Sequence, residues 1–283
     1  EAVGGLVSKQ PLRNPLRTDM EWPSLLLGTI VLRPYVFVFL TFYLTVAIIN
    51  MGLMRSIIFT VLAYSIAFIS EYSSTRTGFP YGFYEYIETT RQQELWISNV
   101  PFMDSLSYSF LAYVAYTMAL LMWSPLKINR WDIRLAENKR VRRSLRVVFS
   151  GAIFFMLMDV IIDPVAFQGD RWFLGKIYTY KEQGEYFNIP LTNFFGWLLV
   201  GTCILYSFTR LDGYLNQVLP YKEQQFPAQA LFGPALYFGV LLFNLLVTFY
   251  IGEWALGACG TSLTFMLLWL LYRKIRYPEK FSL

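Results

Sequence analysis

Asp159 and Asp163 stand four residues apart inside an apolar run from Val147 to Phe167. Residues at i and i+4 share one helix face, so the pair would present two carboxyls side by side. An acidic side chain at membrane depth costs about 3 kcal/mol or more unless it is paired or useful. Two neighbouring carboxyls can divide labour, because burial in apolar surroundings and a like charge both disfavour ionisation. One is then kept protonated as an acid while the other serves as a base. The chain contains no histidine, so this chemistry would run on carboxyl groups alone. At 1.5 Å per residue, Asp159 lies roughly 18 Å along a helix begun at Val147, and Asp163 roughly 24 Å.

The elements that must carry these residues are membrane helices. Hydrophobic residues make up 55% of the 283 and charged residues only 15%, where a soluble domain carries about 25% charged. The expected fold is therefore all-α, a polytopic membrane helical bundle forming one integral membrane domain over residues 1–283. A span needs about 20 apolar residues, and seven candidates fall at 34–50, 53–70, 102–123, 147–166, 191–208, 231–250 and 254–272. Ser24 to Leu32 is apolar but is cut off by Arg33-Pro34. It reads as an interfacial segment closing residues 1–33, with a longer, tilted first helix as the alternative. Residues 34–208 form the core and 209–283 a C-terminal helical pair. Cys203 and Cys259 fall in spans and read as buried apolar thiols. Residues 1–20 lack the layout of a signal peptide, and a start at Glu1 implies a processed or missing beginning.

Seven spans put the termini on opposite faces. Fifteen Lys and Arg fall on the C-terminal side, dominated by Arg140, Arg142, Arg143 and Arg146, against nine on the other, including Lys9, Arg13 and Arg17. The positive-inside rule then places the N-terminus outside and the C-terminus in the cytoplasm. The net charge of +5 reads as topology, not as nucleic-acid binding.

Two outer loops, 71–100 and 168–189, are long and rich in Tyr, Trp and Phe. Loops of more than about 15 residues are usually functional or disordered, and this aromatic content argues for order. They are expected to fold over the bundle as a lid. The regions around them echo each other as a parallel repeat, 53–123 and 147–208. In the first, an acid (Glu71) ends a span, and after the loop Asn99-Val-Pro101 opens the next, with Asp104 three residues beyond the proline. In the second, Asp163 ends a span and Asn188-Ile-Pro190 opens the next, with Asn193 at the matching place. Proline suits a first helical turn. The echo gathers Glu71, Asp104, Asp163 and Asn193 near one leaflet, with Asp159 a turn deeper.

Three ordered motifs carry a family resemblance: Thr77-Gly-Phe-Pro80-Tyr-Gly82 after a helix ending in Glu71, Asp159-x-x-x-Asp163-Pro164, and Pro190-Leu-Thr-Asn193-Phe-Phe-Gly196-Trp197. From about Leu32 to Gly201 the chain resembles the carotenoid biosynthesis membrane proteins. That family includes the bacterial carotenoid 1,2-hydratases and the haloarchaeal bisanhydrobacterioruberin hydratase. The last two spans and the N-terminal 30 residues add nothing to the resemblance. It implies a bacterial or archaeal cytoplasmic membrane and addition of water to the terminal isopropylidene double bond of a polyene. The polar site it implies is Glu71, Asp159, Asp163 and Asn193, and Asp104 departs from the family's more apolar helix start.

The residues suit that chemistry. Asp159 is expected to donate the proton, and Asp163 or Glu71 to orient water as base, with Asn193 holding that water. Trp197, Tyr81 and Phe79 are candidates to face a carbocation. Asp104 and Arg76 complete the expected substrate contacts, although Arg76 also suits a loop-stabilising role. No redox cofactor or metal is required, and di-iron oxygenases built on histidine clusters are excluded. The expected partners are an apolar polyene or isoprenoid, the lipid bilayer and other subunits of a membrane complex. Two alternatives stay open. One is a non-catalytic carotenoid-, quinone- or lipid-binding subunit. The other is a magnesium-dependent polyprenyl transferase, since D-x-x-x-D can hold Mg²⁺ on a diphosphate.

Overall fold

The computed structural model describes residues 21–136, 139–221 and 223–280. The basic residues Lys9, Arg13, Arg17 and Lys222, and the expectation about residues 1–20, lie outside the described residues. Nine α-helices are described: α1 (Glu21–Leu32), α2 (Pro34–Met51), α3 (Leu53–Thr77), α4 (Phe102–Trp123), α5 (Lys139–Arg142), α6 (Leu145–Phe167), α7 (Leu191–Val218), α8 (Phe232–Tyr250) and α9 (Trp254–Arg276). Seven of these, all but α1 and α5, are long and apolar enough to cross a membrane. The protein is a multi-pass, all-α bundle.

Helix α4 is its axis. Its side chains are buried almost throughout, and it touches α2, α3, α6, α7 and α8. Small residues at Ser105, Ser109, Ala112, Ala115 and Ala119 let neighbouring helices come close, the usual basis of helix association in lipid. Opposing helices add their own small positions: a side chain at Gly201 of α7 would meet Phe155, and one at Gly233 would meet Thr117.

Several helices outrun their apolar sequence. Helix α3 does not end at Glu71 but continues to Thr77. The hydroxyls of Thr75 and Thr77 bond back to the carbonyls of Glu71 and Ser73 at 3.1 and 3.0 Å, and Gly78 ends the helix in the left-handed conformation. Likewise α6 passes through Pro164 to Phe167, so Asp163-Pro164 does not terminate it. Helix α7 extends to Val218, and the boundary drawn at 208 falls inside it. Its polar last turns are held by Asp212, which takes a 2.6 Å bond from the buried Arg55. Helix α8 packs on α9 and also on α2, α4 and α6. Segment Ser24–Leu32 belongs to a helix of its own, α1, broken from α2 at Arg33. Cys203 and Cys259 are exposed rather than buried, since each falls on the outward stripe of its helix.

Short strands decorate the two ends. At one end β1 (Tyr84–Tyr86) pairs antiparallel with β6 (Tyr178–Tyr180), Tyr84 opposite Tyr180 and Tyr86 opposite Tyr178. Strands β2 (Trp96–Ile97) and β3 (Val100–Pro101) form a second pair beside them. The two long loops are therefore stitched to each other across the bundle. At the opposite end β4 (Leu126–Asn129) and β5 (Asp132–Leu135) form a hairpin.

Candidate active site

The loop between α3 and α4 opens with a tight turn. Gly78 and Gly82 have φ of 78° and 97°, which a side chain would strain. Ser74 closes it, accepting from the Tyr81 amide at 3.0 Å and donating to the Gly82 carbonyl at 2.8 Å. Tyr81 is thereby turned inward, 2% exposed, its hydroxyl 2.9 Å from that of Ser70. A side chain at Gly196 of α7 would collide with the Tyr81 ring and sit 2.8 Å from the Pro80 carbonyl. The glycine thus lets the turn lie against α7.

Below this turn lies a cavity of about 950 Å³, measured out to its mouth. Its polar end gathers Glu71, Asp104, Asp159, Asp163 and Asn193 from four helices. The amide Nδ2 of Asn193 donates to Asp159 Oδ2 at 2.7 Å and to Asp163 Oδ2 at 3.0 Å. One turn of α6 is so clamped to the first turn of α7. Asp163 also accepts from the hydroxyls of Tyr178 and of Tyr180, the latter at 3.0 Å. Asp159 is 1% exposed, and its Oδ1 takes no hydrogen bond from any of the described residues. Across the cavity, Glu71 accepts from Ser105 at 2.5 Å, and Tyr86 donates to Asp104.

The two halves match in a way that revises the expected register. Glu71 to Ser105 and Asp159 to Asn193 are equal sequence separations, each joining the last turns of one helix to the first of the next. Glu71 therefore corresponds in place to Asp159, not to Asp163. The antiparallel β1–β6 pair lies between the halves.

Every residue expected at the site except Phe79 and Arg76 borders this cavity. Phe79 is 64% exposed, because the glycine turn points it away when it points Tyr81 in. Arg76 lies over the Tyr72 ring and bonds Asn99 Oδ1 at 2.7 Å, so it braces the loop. Trp197 is in the wall, but its ring packs against Tyr108 and Phe155, both at 4.6 Å between centroids. Asn193 gives its amide Nδ2 to the two acids, which leaves the expected hold on water to its carbonyl oxygen.

Sequence reading missed Tyr84, Tyr86, Tyr178, Tyr180 and Ser105. The signal was present in Tyr84-Glu-Tyr86 and Tyr178-Thr-Tyr180: in a strand, alternate residues share a face, so each pair aims two phenols the same way. Burial pushes the hydroxyls of Tyr81, Tyr84, Tyr86, Tyr178 and Tyr180 well above the ordinary phenol range. Nearby carboxylate charge adds to this, from Glu71 for Tyr81 and Tyr84, Asp104 for Tyr86, and Asp163 for Tyr178 and Tyr180. They remain proton donors at physiological pH. Because the folded state holds these protons more tightly than the unfolded chain, the stability they support is complete below about pH 10 and lost as pH rises beyond it. An alkaline absorbance titration is expected to show a late tyrosine step that coincides with loss of helical circular dichroism. A single early step for every tyrosine would rule this arrangement out.

No curated protein and no solved structure matches the chain significantly. The sequence profile described as "Carotenoid biosynthesis protein" matches residues 23–268. That span takes in α1 and the last two membrane helices, so it is wider than the Leu32–Gly201 stretch the motifs delimit. With most of its length matched, this chain belongs to the carotenoid biosynthesis protein family.

Proposed function

We propose that the protein adds water across the terminal isopropylidene double bond of an acyclic carotenoid, using carboxyl groups as acid and base. The observation that carries this reading is the unequal bonding of the paired aspartates. Asp163 accepts from Asn193, Tyr178 and Tyr180, and donors of this kind favour a carboxylate. Asp159 is buried beside it with one oxygen unclaimed, the arrangement of a group that carries the reacting proton. The role in carotenoid metabolism comes from the family.

The balanced reaction begins as Asp159 gives its proton to the CH carbon of the alkene. The π pair forms the new C–H bond and leaves a tertiary carbocation at the dimethyl carbon. The ring faces of Tyr81 and Tyr84, both in the cavity wall, present negative quadrupole to that charge. Water adds to the cation, and its surplus proton passes to Asp163 or Glu71. Transfer back to Asp159, one turn from Asp163, resets the site. The net change is alkene plus water to tertiary alcohol.

The cavity lining supports a neutral, apolar substrate over a diphosphate. Among the described residues it contains four carboxyl groups and no Lys or Arg, so a diphosphate would meet only repulsion. The basic loops gather at the other end of the bundle, where Arg55 pairs with Asp212 and Arg143 bonds the Gly213 carbonyl. This supports a cavity facing the outer side, with the N-terminus outside and the C-terminus in the cytoplasm.

Expression in cells that accumulate lycopene tests the reaction. Pigments heavier by one or two waters are expected, and they should be absent from cells without the protein. Unaltered lycopene bound to the purified protein would favour the non-catalytic carotenoid-binding subunit instead.

A further inference from the structure

The cavity has a second, apolar end. Leu111 of α4, Ile162 of α6 and Val240 of α8 line it together with Tyr35, Phe39, Trp172 and Phe243. Phe243 is the hub of that group. It stacks on Tyr35 at 5.6 Å between centroids and meets Phe39 edge-on at 5.7 Å and Trp172 at 6.3 Å.

Glu71, Asp159, Asn193 and Tyr81 are nearly fully buried, Asp104 and Asp163 are half-buried, and so are all four rings of the aromatic end, Tyr35, Phe39, Trp172 and Phe243. The aromatic end is the one set between the membrane-spanning helices α2 and α8. The surface of those helices is apolar: Val38 of α2 and Leu242 and Leu246 of α8 are exposed, on helices long enough to span a membrane.

Size decides what passes there. A carotenoid is about as long as the hydrocarbon core of a bilayer is thick, about 30 Å. A cavity of at most about 950 Å³ is of the size that takes a drug-sized ligand. It holds one end of such a chain, and the remainder must leave through the mouth.

We propose that Tyr35, Phe39, Trp172 and Phe243 form a lateral portal between α2 and α8. The polyene chain lies in it, with one end on the carboxyl groups and the rest in the bilayer. This rests on the hydratase reading for its substrate. The flat conjugated chain suits a slot lined by rings, and the portal makes chain length, not the end group, its determinant of selectivity.

The test compares the full-length protein in lipid nanodiscs with its Phe243→Ala and Phe39→Ala variants, and with Leu242→Ala as a lipid-facing control. Two substrates are used: lycopene, and 2-methyl-2-pentene, which has the same isopropylidene end without the chain. The portal predicts that KM for lycopene rises about tenfold in both portal variants, the scale of a lost ring contact. It predicts kcat within about twofold of wild type, and unchanged kcat/KM for the short alkene and for Leu242→Ala. An unchanged lycopene KM in both portal variants, or equal losses on the two substrates, overturns the portal. If the wild type hydrates neither substrate, the hydratase reading fails, and lycopene retained per protein, read by visible absorbance, decides the portal by itself. Retention reduced in the two portal variants but not in Leu242→Ala supports it, and equal retention in all of them overturns it.

Discussion

Asp159→Asn is expected to lower turnover by about 10²–10⁴-fold, the range of a lost general acid, in a protein that still folds. Asparagine has the same shape, and its carbonyl can keep the 2.7 Å bond from Asn193. What changes is the unclaimed Oδ1, replaced by an amide that cannot deliver a proton to carbon. The structural cost is one buried amide without a full set of partners, about 1–3 kcal/mol. Asp163→Asn makes the informative contrast. There the new NH₂ would face the donor hydroxyls of Tyr178 or Tyr180, so stability should fall further than in Asp159→Asn. Thermal unfolding in detergent, paired with turnover measurements, separates the two. Near-normal turnover in a folded Asp159→Asn protein would remove Asp159 from the acid role.

The second large effect is structural. Arg33 is 1% exposed and sits at the break between α1 and α2. It grips Glu94 through two nitrogens, at 3.1 and 2.8 Å, and also donates to the Leu174 carbonyl. Glu94 further accepts from Thr90 at 2.5 Å, and the Leu95 amide bonds Thr29 at 2.8 Å. One guanidinium thus ties the α1–α2 joint to both loops that roof the cavity. Removing one partner of a buried pair strands the other, which costs about 3–5 kcal/mol. Arg33→Met and Glu94→Leu should each lose stability on that scale, and the double variant should recover a good part of it. Arg33→Lys should not restore the wild type, because a lysine cannot make the forked contact. Loss within about 0.5 kcal/mol for either single change would show that the loops are held by other contacts.

Much of the architecture could be read from residue patterns. Membrane helices announce themselves through unbroken apolar length, and each expected span begins within a few residues of an observed helix. Their ends were harder to place, because hydropathy fades before the helix does. Tyr72 to Thr77 and Thr209 to Val218 are polar yet helical, held by hydroxyl back-bonds in one case and by Asp212 in the other. At the site, the acids and Asn193 stood out because lipid makes polar residues expensive. The tyrosines did not, since an aromatic loop residue carries no such penalty and its target is fixed only once β1 and β6 pair. Phe79 and Tyr81 show the same limit: neighbours in one motif, they face opposite ways because of two glycine torsions. Arg33 read as part of the cut between Ser24–Leu32 and the first span, and its partner Glu94 lies 61 residues away, beyond any local pattern.

The central claim is that water becomes part of the product. Purified protein in nanodiscs, given lycopene in water enriched in ¹⁸O, tests it by mass spectrometry of the recovered pigment. The account predicts a tertiary alcohol carrying the heavy oxygen on the terminal dimethyl carbon, formed without added oxidant and lost in Asp159→Asn. Lycopene recovered unchanged from a folded, pigment-loaded protein would contradict it.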